Sequence, residues 1–106
     1  MAEAKIVVLY PYPNDTSRFD REYREHIALL RKKMKIPEGA QPYEITRFFG
    51  TPQDKPRFYQ MFSMAFPSEQ ALQEAMGSPE MQELGADAAR ISTGGAPVML
   101  AGVKGA

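Results

Sequence analysis

The chain contains one histidine, His26, and no cysteine. An imidazole titrates near neutral pH, so this side chain is the one best suited to accept or donate a proton. With about 100° between successive helical residues, His26 lies roughly 60° from the centre of an apolar stripe, on the flank near Tyr23 and Leu30. At that flank, the surface of the helix would diverge from the sheet on which it packs. Two interpretations are open: a proton-transferring residue in a small-molecule site, or a partly buried histidine bonded to a carbonyl group.

Three aromatic side chains are candidates to contact a ligand beside His26. Tyr10 and Tyr23 each carry a hydroxyl on an apolar ring, and such a hydroxyl can orient a polar group of a ligand. Phe62 belongs to a phenylalanine stripe with a spacing of four residues and could line the mouth of a cavity. Core packing is the alternative explanation for each of the three.

Two charged residues complete the set of candidates. Arg47 shares a predicted strand face with apolar neighbours, and a charge on such a face needs a partner. An anionic ligand, a salt bridge across an interface and extension to the edge of the sheet are all open explanations. Asp87 is predicted to follow a helix break at Gly85. It could hydrogen-bond His26 or Arg47, or it could be a simple helix cap or a residue of the helix face.

Several classes of site lack the residues that they need. There is no Ser-His-Asp arrangement and no phosphate-binding loop, since Gly94-Gly95 has the character of a turn. One histidine, no cysteine and no acidic cluster lead us to expect no metal and no cofactor. The 13 basic and 13 acidic residues give a formal net charge of zero, so we expect neither nucleic acid nor a membrane as partner.

The ends and the length of the chain give two further expectations. The first residues, Met1–Lys5, lack the charged-then-apolar profile of a signal peptide. The apolar run that follows, Ile6–Tyr10, is too short to span a bilayer. We therefore expect a cytoplasmic protein, with residues 1–106 as a single domain.

The candidate residues fall on a pattern of alternating elements. Strands are predicted at 6–10, 43–49, 58–66 and 98–103, with helical sequence from Ser17 to Pro37 and from Ser68 to Thr93. The second helical stretch is interrupted at Gly77 and restarts at Ser78-Pro79. Strands 43–49 and 58–66 should form an antiparallel hairpin across a polar connection at 50–56. The order βαββαβ predicts an α+β, ferredoxin-like fold, with a four-stranded antiparallel sheet and helices on one face.

The third predicted strand indicates how the protein assembles. Alternation puts one set of side chains on each face, and neither set carries a charge. The helices cover only one face, so the other needs a second sheet, which predicts a homodimeric α/β barrel. The two sets are Phe58, Gln60, Phe62, Met64 and Phe66 on one face, and Tyr59, Met61, Ser63 and Ala65 on the other.

The sequence resembles EthD domains, small proteins of the dimeric α/β-barrel superfamily, over roughly residues 5 to 103. The similar residues are short motifs spread along the chain: Lys5-Ile-Val-Val-Leu-Tyr-Pro11, Phe19-Asp20, Tyr23, His26, Phe62-Ser63, Ser68-Glu-Gln-Ala71 and Asp87. The family is named for gene clusters that degrade ethyl tert-butyl ether. The resemblance therefore implies a homodimer that takes part in a catabolic pathway.

The resemblance also implies a class of ligand. In many related barrels a small apolar or aromatic molecule lies between the sheet and the helices. A lone histidine would suit proton transfer during isomerisation, dehydration or decarboxylation. A non-catalytic accessory or binding protein, a cofactor-free monooxygenase and a haem-handling protein with His26 as ligand are the alternatives. Some related isomerases use a cysteine, and that mechanism is not available to this chain.

Overall fold

The structure is a computed structural model that describes residues 3–50, 53 and 56–105. Its elements follow the predicted order, with the second helical stretch divided in two as expected. They are β1 (Ala4–Pro11), α1 (Thr16–Lys33), β2 (Tyr43–Arg47), β3 (Phe58–Phe66), α2 (Glu69–Met76), α3 (Pro79–Ile91) and β4 (Val98–Val103). The predicted connection at 50–56 lies partly outside the described residues.

The four strands form one antiparallel sheet with the order β2-β3-β1-β4. Along β1, every second residue is buried, and these residues share a core with apolar side chains from all three helices. The helices therefore cover one face of the sheet, and the ferredoxin-like prediction is confirmed. In the described part of the chain, no helix is both long enough and apolar enough to cross a membrane.

Two helix boundaries differ from the sequence-based expectation. Helix α1 begins earlier, because the side chain of Asp15 rather than that of Ser17 is the N-cap and accepts a hydrogen bond from the Arg18 amide at 3.1 Å. The helix also ends at Lys33, before the Pro37 stop. The next turn closes through Lys35, which adopts a left-handed φ of 54°.

Helix α3 runs without interruption through Gly85, so the predicted break there is wrong. Its start is as predicted: the Ser78 side chain accepts a hydrogen bond from the Met81 amide, and Pro79 occupies the first turn, where no amide proton is needed. Helix α3 packs against α1, and Leu84 and Ala88, on either side of the glycine, lie in the core, which favours a continuous helix. Asp87 therefore projects from the middle of a continuous helix.

Strict alternation along β3 fails at Tyr59. Tyr10 pairs with Gln60 and Pro11 with Phe58, so Tyr59 is an extra residue in a β-bulge. Consecutive residues Tyr59 and Gln60 are both buried, and the Tyr59 ring meets Phe19 of α1 at 5.5 Å. The expectation that Tyr59 and Gln60 lie on opposite faces of the strand is wrong, because the bulge rotates Tyr59 toward α1.

The other side of the sheet, here called the open face, carries Lys5, Val7, Leu9, Met61 and Leu100. The four apolar residues among them are only partly buried or largely exposed, and Leu100 is 53% exposed. This is the apolar surface that the alternation predicted opposite the helices.

Candidate functional site

A cavity of about 40 Å³ lies between the helix-covered face of the sheet and helices α1 and α3. Its walls are apolar except for two polar side chains, His26 from α1 and Tyr10 from β1. Larger grooves, of about 500 and 300 Å³, border the edge strand β4, but their charged side chains are exposed to solvent. We therefore take the cavity beside His26 as the candidate site, because it alone of these places a titratable group in apolar surroundings.

His26 is held by an aspartate from the neighbouring helix. The imidazole is 8% exposed, and its Nδ1 lies 2.8 Å from Oδ2 of Asp87. A carboxylate only accepts hydrogen bonds, so this contact places a proton on Nδ1, and in the neutral ring the lone pair then lies on Nε2. None of the described residues hydrogen-bonds Nε2. The neutral ring is thus held in the tautomer whose Nε2 can accept a proton from a ligand.

Asp87 is in turn held by an ion-pair network that extends to the surface. Arg90 contacts Oδ1 of Asp87 through Nε at 3.0 Å and through Nη2 at 2.9 Å. Arg90 also lies 3.4 Å from Glu22, which accepts a hydrogen bond of 2.6 Å from Arg18. Burial opposes ionisation of Asp87, but the hydrogen bonds from His26 and Arg90 outweigh it and lower the pKa of the carboxyl group. Asp87 therefore remains an anion beside the imidazole.

Tyr10 brings a neutral hydroxyl to the same cavity. Its side chain is 1% exposed and lies on the helix-covered face of the central strand β1. Burial raises the pKa of Tyr10, and the nearby Tyr23 and Asp87 raise it further. The phenol therefore stays protonated and can donate a hydrogen bond to an oxygen of a ligand.

Tyr23 packs against both polar residues of the cavity wall. Its ring centroid lies 5.5 Å from that of Tyr10 and 5.8 Å from that of His26, but it does not line the cavity. The hydroxyl is buried without a hydrogen-bonding partner in the described part of the chain. Burial raises the pKa of Tyr23. The packed rings of Tyr10 and Tyr23 restrict the position of the imidazole.

The structure places the last two candidates, Phe62 and Arg47, in different parts of the molecule. Phe62 lines the cavity, and its ring stacks on that of Tyr43 with a centroid distance of 5.6 Å. Arg47 does not line it. Its Nη2 instead lies 2.8 Å from Asp20 of α1 and 2.8 Å from the Gln60 side chain. The partner that its strand face required is therefore supplied within the chain, and Arg47 stands apart from the His26 site.

Two residues of the site were not identified from the sequence. Arg90 follows Asp87 by three positions, the spacing that brings helical side chains together, so this signal was present. Gly85 lines the cavity and follows Met81 by four positions in the inner stripe of α3, but a glycine in a helix suggests a break rather than a wall. Residues 3–50, 53 and 56–105 contain no group of three histidine, cysteine or acidic side chains that could hold a metal ion.

Comparison with known proteins identifies a family that this chain matches. The model of the EthD domain matches residues 12–94. A structure from Bacillus halodurans C-125, of an ethyl tert-butyl ether d (EthD) family protein, is 31% identical with a TM-score of 0.77, and the match covers 94% of this chain and 96% of that one. No curated protein matches the sequence.

Two more distant structures share the fold. A dimeric ferredoxin-like protein from Jannaschia sp. CCS1 is 16% identical, with a TM-score of 0.66 and coverage of 95% of this chain and 97% of that one. The hydroxynitrile lyase from Passiflora edulis is 14% identical, with a TM-score of 0.72 and coverage of 98% and 94%. At these identities the likeness extends to the fold alone.

Proposed function

The chain belongs to the EthD domain family, and on that premise we propose that it binds a small uncharged organic molecule in the cavity beside His26 and transfers a proton to or from it. The observation that carries the proposal is the oriented imidazole: Asp87 holds Nδ1, and Nε2 has no hydrogen-bonding partner among the described residues at the wall of an apolar cavity. Such a group can act as a general base, and this chemistry needs neither a metal ion nor a nucleophilic side chain.

The proposed chemistry uses two polar groups in complementary roles. Nε2 of His26 would take a proton from a carbon or hydroxyl group of the ligand, and the anion of Asp87 would stabilise the imidazolium that forms. Tyr10 would donate a hydrogen bond to the oxygen on which negative charge develops. In an isomerisation the proton would return to another carbon of the ligand. In a dehydration it would go to the leaving hydroxyl group, which departs as water, and in a decarboxylation to the carbon that has released CO2. The hydroxynitrile lyase of the same fold makes its reaction a further one to test.

A haem-handling role is less consistent with the site. A cavity of about 40 Å³ is far smaller than a porphyrin. The second candidate is a non-catalytic binding or accessory protein that uses the same cavity. Its apolar walls favour this candidate as much as the enzyme, and only turnover separates the two.

We also propose that the protein is a homodimer. The open face presents Val7, Leu9, Met61 and Leu100, and each Å² of apolar area that a second copy removed from water would contribute about 25 cal/mol. The Jannaschia protein with this fold is dimeric, which supports the same arrangement here. A cytoplasmic location and a role in a catabolic pathway are part of the proposal, the latter because of the family's name.

Native mass spectrometry of freshly purified protein is the first experiment, because it would reveal a co-purified small molecule by its mass. The identified molecule and its close analogues would then be incubated with wild-type protein and with His26→Gln. We expect turnover by the wild type only. We also expect the variant to lose no more than about 1 kcal/mol of unfolding free energy, since Arg90 still holds Asp87.

Two outcomes would contradict the catalytic proposal. Binding without turnover by the wild type would assign the cavity to a binding protein. A loss of several kcal/mol in His26→Gln would show that the imidazole is part of the core, because removal of a structural partner leaves a buried group unpaired.

A further inference from the structure

Gly85 occupies an unusual position for a glycine. It lies in the middle of α3, in the inner stripe that also contains Met81, Leu84 and Ala88, and all four residues line the cavity beside His26. A residue at this position would normally contribute a side chain to the core. Part of the cavity is therefore the space that a side chain at position 85 would otherwise fill.

No backbone or packing requirement explains the glycine. Helix α3 continues through Gly85, and the positive φ angles of described glycines occur elsewhere, at Gly39 and Gly95. A Cβ atom built on Gly85 meets nothing within 4 Å, whereas at Gly94 it would lie 1.8 Å from the Tyr12 carbonyl oxygen. Glycine also weakens a helix interior relative to alanine. The fold would tolerate a methyl group here and would gain stability from it.

The other residues of the cavity wall indicate which kind of ligand the cavity can bind. No aspartate, glutamate, lysine or arginine side chain lines the cavity. Methionines 64, 81 and 99 account for three of its residues, and Met99 is 42% exposed at the rim. Unbranched thioether side chains adapt to ligands of different shape, so the cavity can enlarge on the methionine side but not at the helix backbone.

We infer that Gly85 is a specificity-determining residue: the volume that its side chain would fill is the volume that a small, uncharged, apolar ligand enters beside His26. The inference rests on the proposed function, since it assumes that this cavity binds the ligand. It adds a size limit, because any larger residue at position 85 would exclude the ligand without touching His26 or Asp87.

The test uses benzene as probe and protein labelled with ¹³C in the methionine methyl groups. In the wild type, benzene should shift the methyl signals of Met64, Met81 and Met99, and leave that of Met61 on the open face unchanged. In Gly85→Ala, benzene affinity should fall about tenfold or more, because the added methyl overfills the site. The melting temperature of the same variant, without benzene, should rise by about 4 °C.

Gly77→Ala is the matched control. It adds the same methyl group at the end of α2, outside the cavity, in ordinary contact with helix carbonyl oxygens at 3.7 and 3.8 Å. Its benzene affinity should equal that of the wild type. The inference is overturned if Gly85→Ala binds benzene as well as the wild type does, or if its melting temperature falls. If benzene shifts none of the three methyl signals in the wild type, the proposed binding cavity itself is wrong.

Discussion

Nδ1 of His26 and Oδ2 of Asp87 lie 2.8 Å apart, although 61 residues separate them in the sequence. The contact exists because α1 packs directly on α3, which places the flank of one helix against the flank of the other. It fixes the orientation of the only histidine of the chain, and the proton on its Nδ1, at the wall of the cavity. The predictions below test this pair, its support and the surfaces around it.

The first prediction concerns Asp87 and pH. Its pKa in the folded chain is lower than the ordinary 3.8, so its ionised form stabilises the fold at pH values above that point. This contribution is lost as the pH falls through 3.8 and then through the lower pKa of the folded state. Asp87→Asn should therefore cost about 1–2 kcal/mol at pH 7 and progressively less in acid. Urea denaturation of both proteins from pH 7 to pH 3 measures the difference, and a pH-independent cost would contradict the argument.

The second prediction concerns Arg90, which acts on the imidazole only through Asp87. In Arg90→Gln the carboxylate loses two charged contacts and gains freedom to rotate away from Nδ1. The ¹⁵N spectrum of the His26 ring should change from the Nδ1–H tautomer to a mixture of tautomers. Arg24→Gln is the control, because Arg24 is exposed on α1 and makes no hydrogen bond or ion pair within the described part of the chain. An unchanged spectrum in Arg90→Gln would mean that Asp87 needs no such support.

The third prediction tests the homodimer. Leu100 is 53% exposed on the open face, so Leu100→Lys should leave the fold of one chain intact but place a charge inside the proposed interface. Sedimentation equilibrium at low micromolar concentration should give about twice the 11.9 kDa chain mass for the wild type and the single mass for the variant. Ala89→Lys, on the exposed side of α3, should remain dimeric. A monomeric wild type would exclude the proposed barrel.

The fourth prediction concerns the turn before β4. A Cβ on Gly94 would lie 1.8 Å from the carbonyl oxygen of Tyr12 and 2.7 Å from its carbonyl carbon, both of them backbone atoms. Gly94→Ala must therefore displace the segment that leads into α1, at a cost of about 2 kcal/mol or more. Gly105→Ala, where a Cβ meets nothing within 4 Å, should change the unfolding free energy by less than about 0.5 kcal/mol. Equal stability of the two variants in chemical denaturation would count against the close approach.

Much of the fold could be predicted because its signals are local. The bounds of β3 and β4 agree with the sequence, since runs without a charged residue are flanked there by proline and glycine. Local signals also produced the errors. Asp15 and Ser17 are both good N-caps, and the sequence offers no means of choosing between them. The bulge at Tyr59 is equally hidden, because an aromatic residue suits either face of an apolar strand.

The candidate site was less predictable, because it depends on contacts between distant segments. The flank position of His26 follows from helical periodicity, but the residue that it meets depends on how α1 and α3 lie against each other. The partner of Arg47 was missed for the same reason, since Asp20 lies on a different element, 27 residues away. The role of Gly85 depends on the unfilled volume next to it, and no sequence pattern shows where the atoms of other segments are absent.

The methionines in the cavity wall have a consequence for the protein under oxidative stress. The chain has no cysteine, so its sulfur is entirely thioether, and Met99 is the cavity methionine that is largely exposed. Peroxide would convert it to a polar sulfoxide at the rim of an apolar cavity. Exposure to hydrogen peroxide should therefore abolish benzene binding, treatment with methionine sulfoxide reductases should restore it, and Met99→Leu should resist the loss. The protein would lose its ligand reversibly in oxidising conditions, without a change of fold.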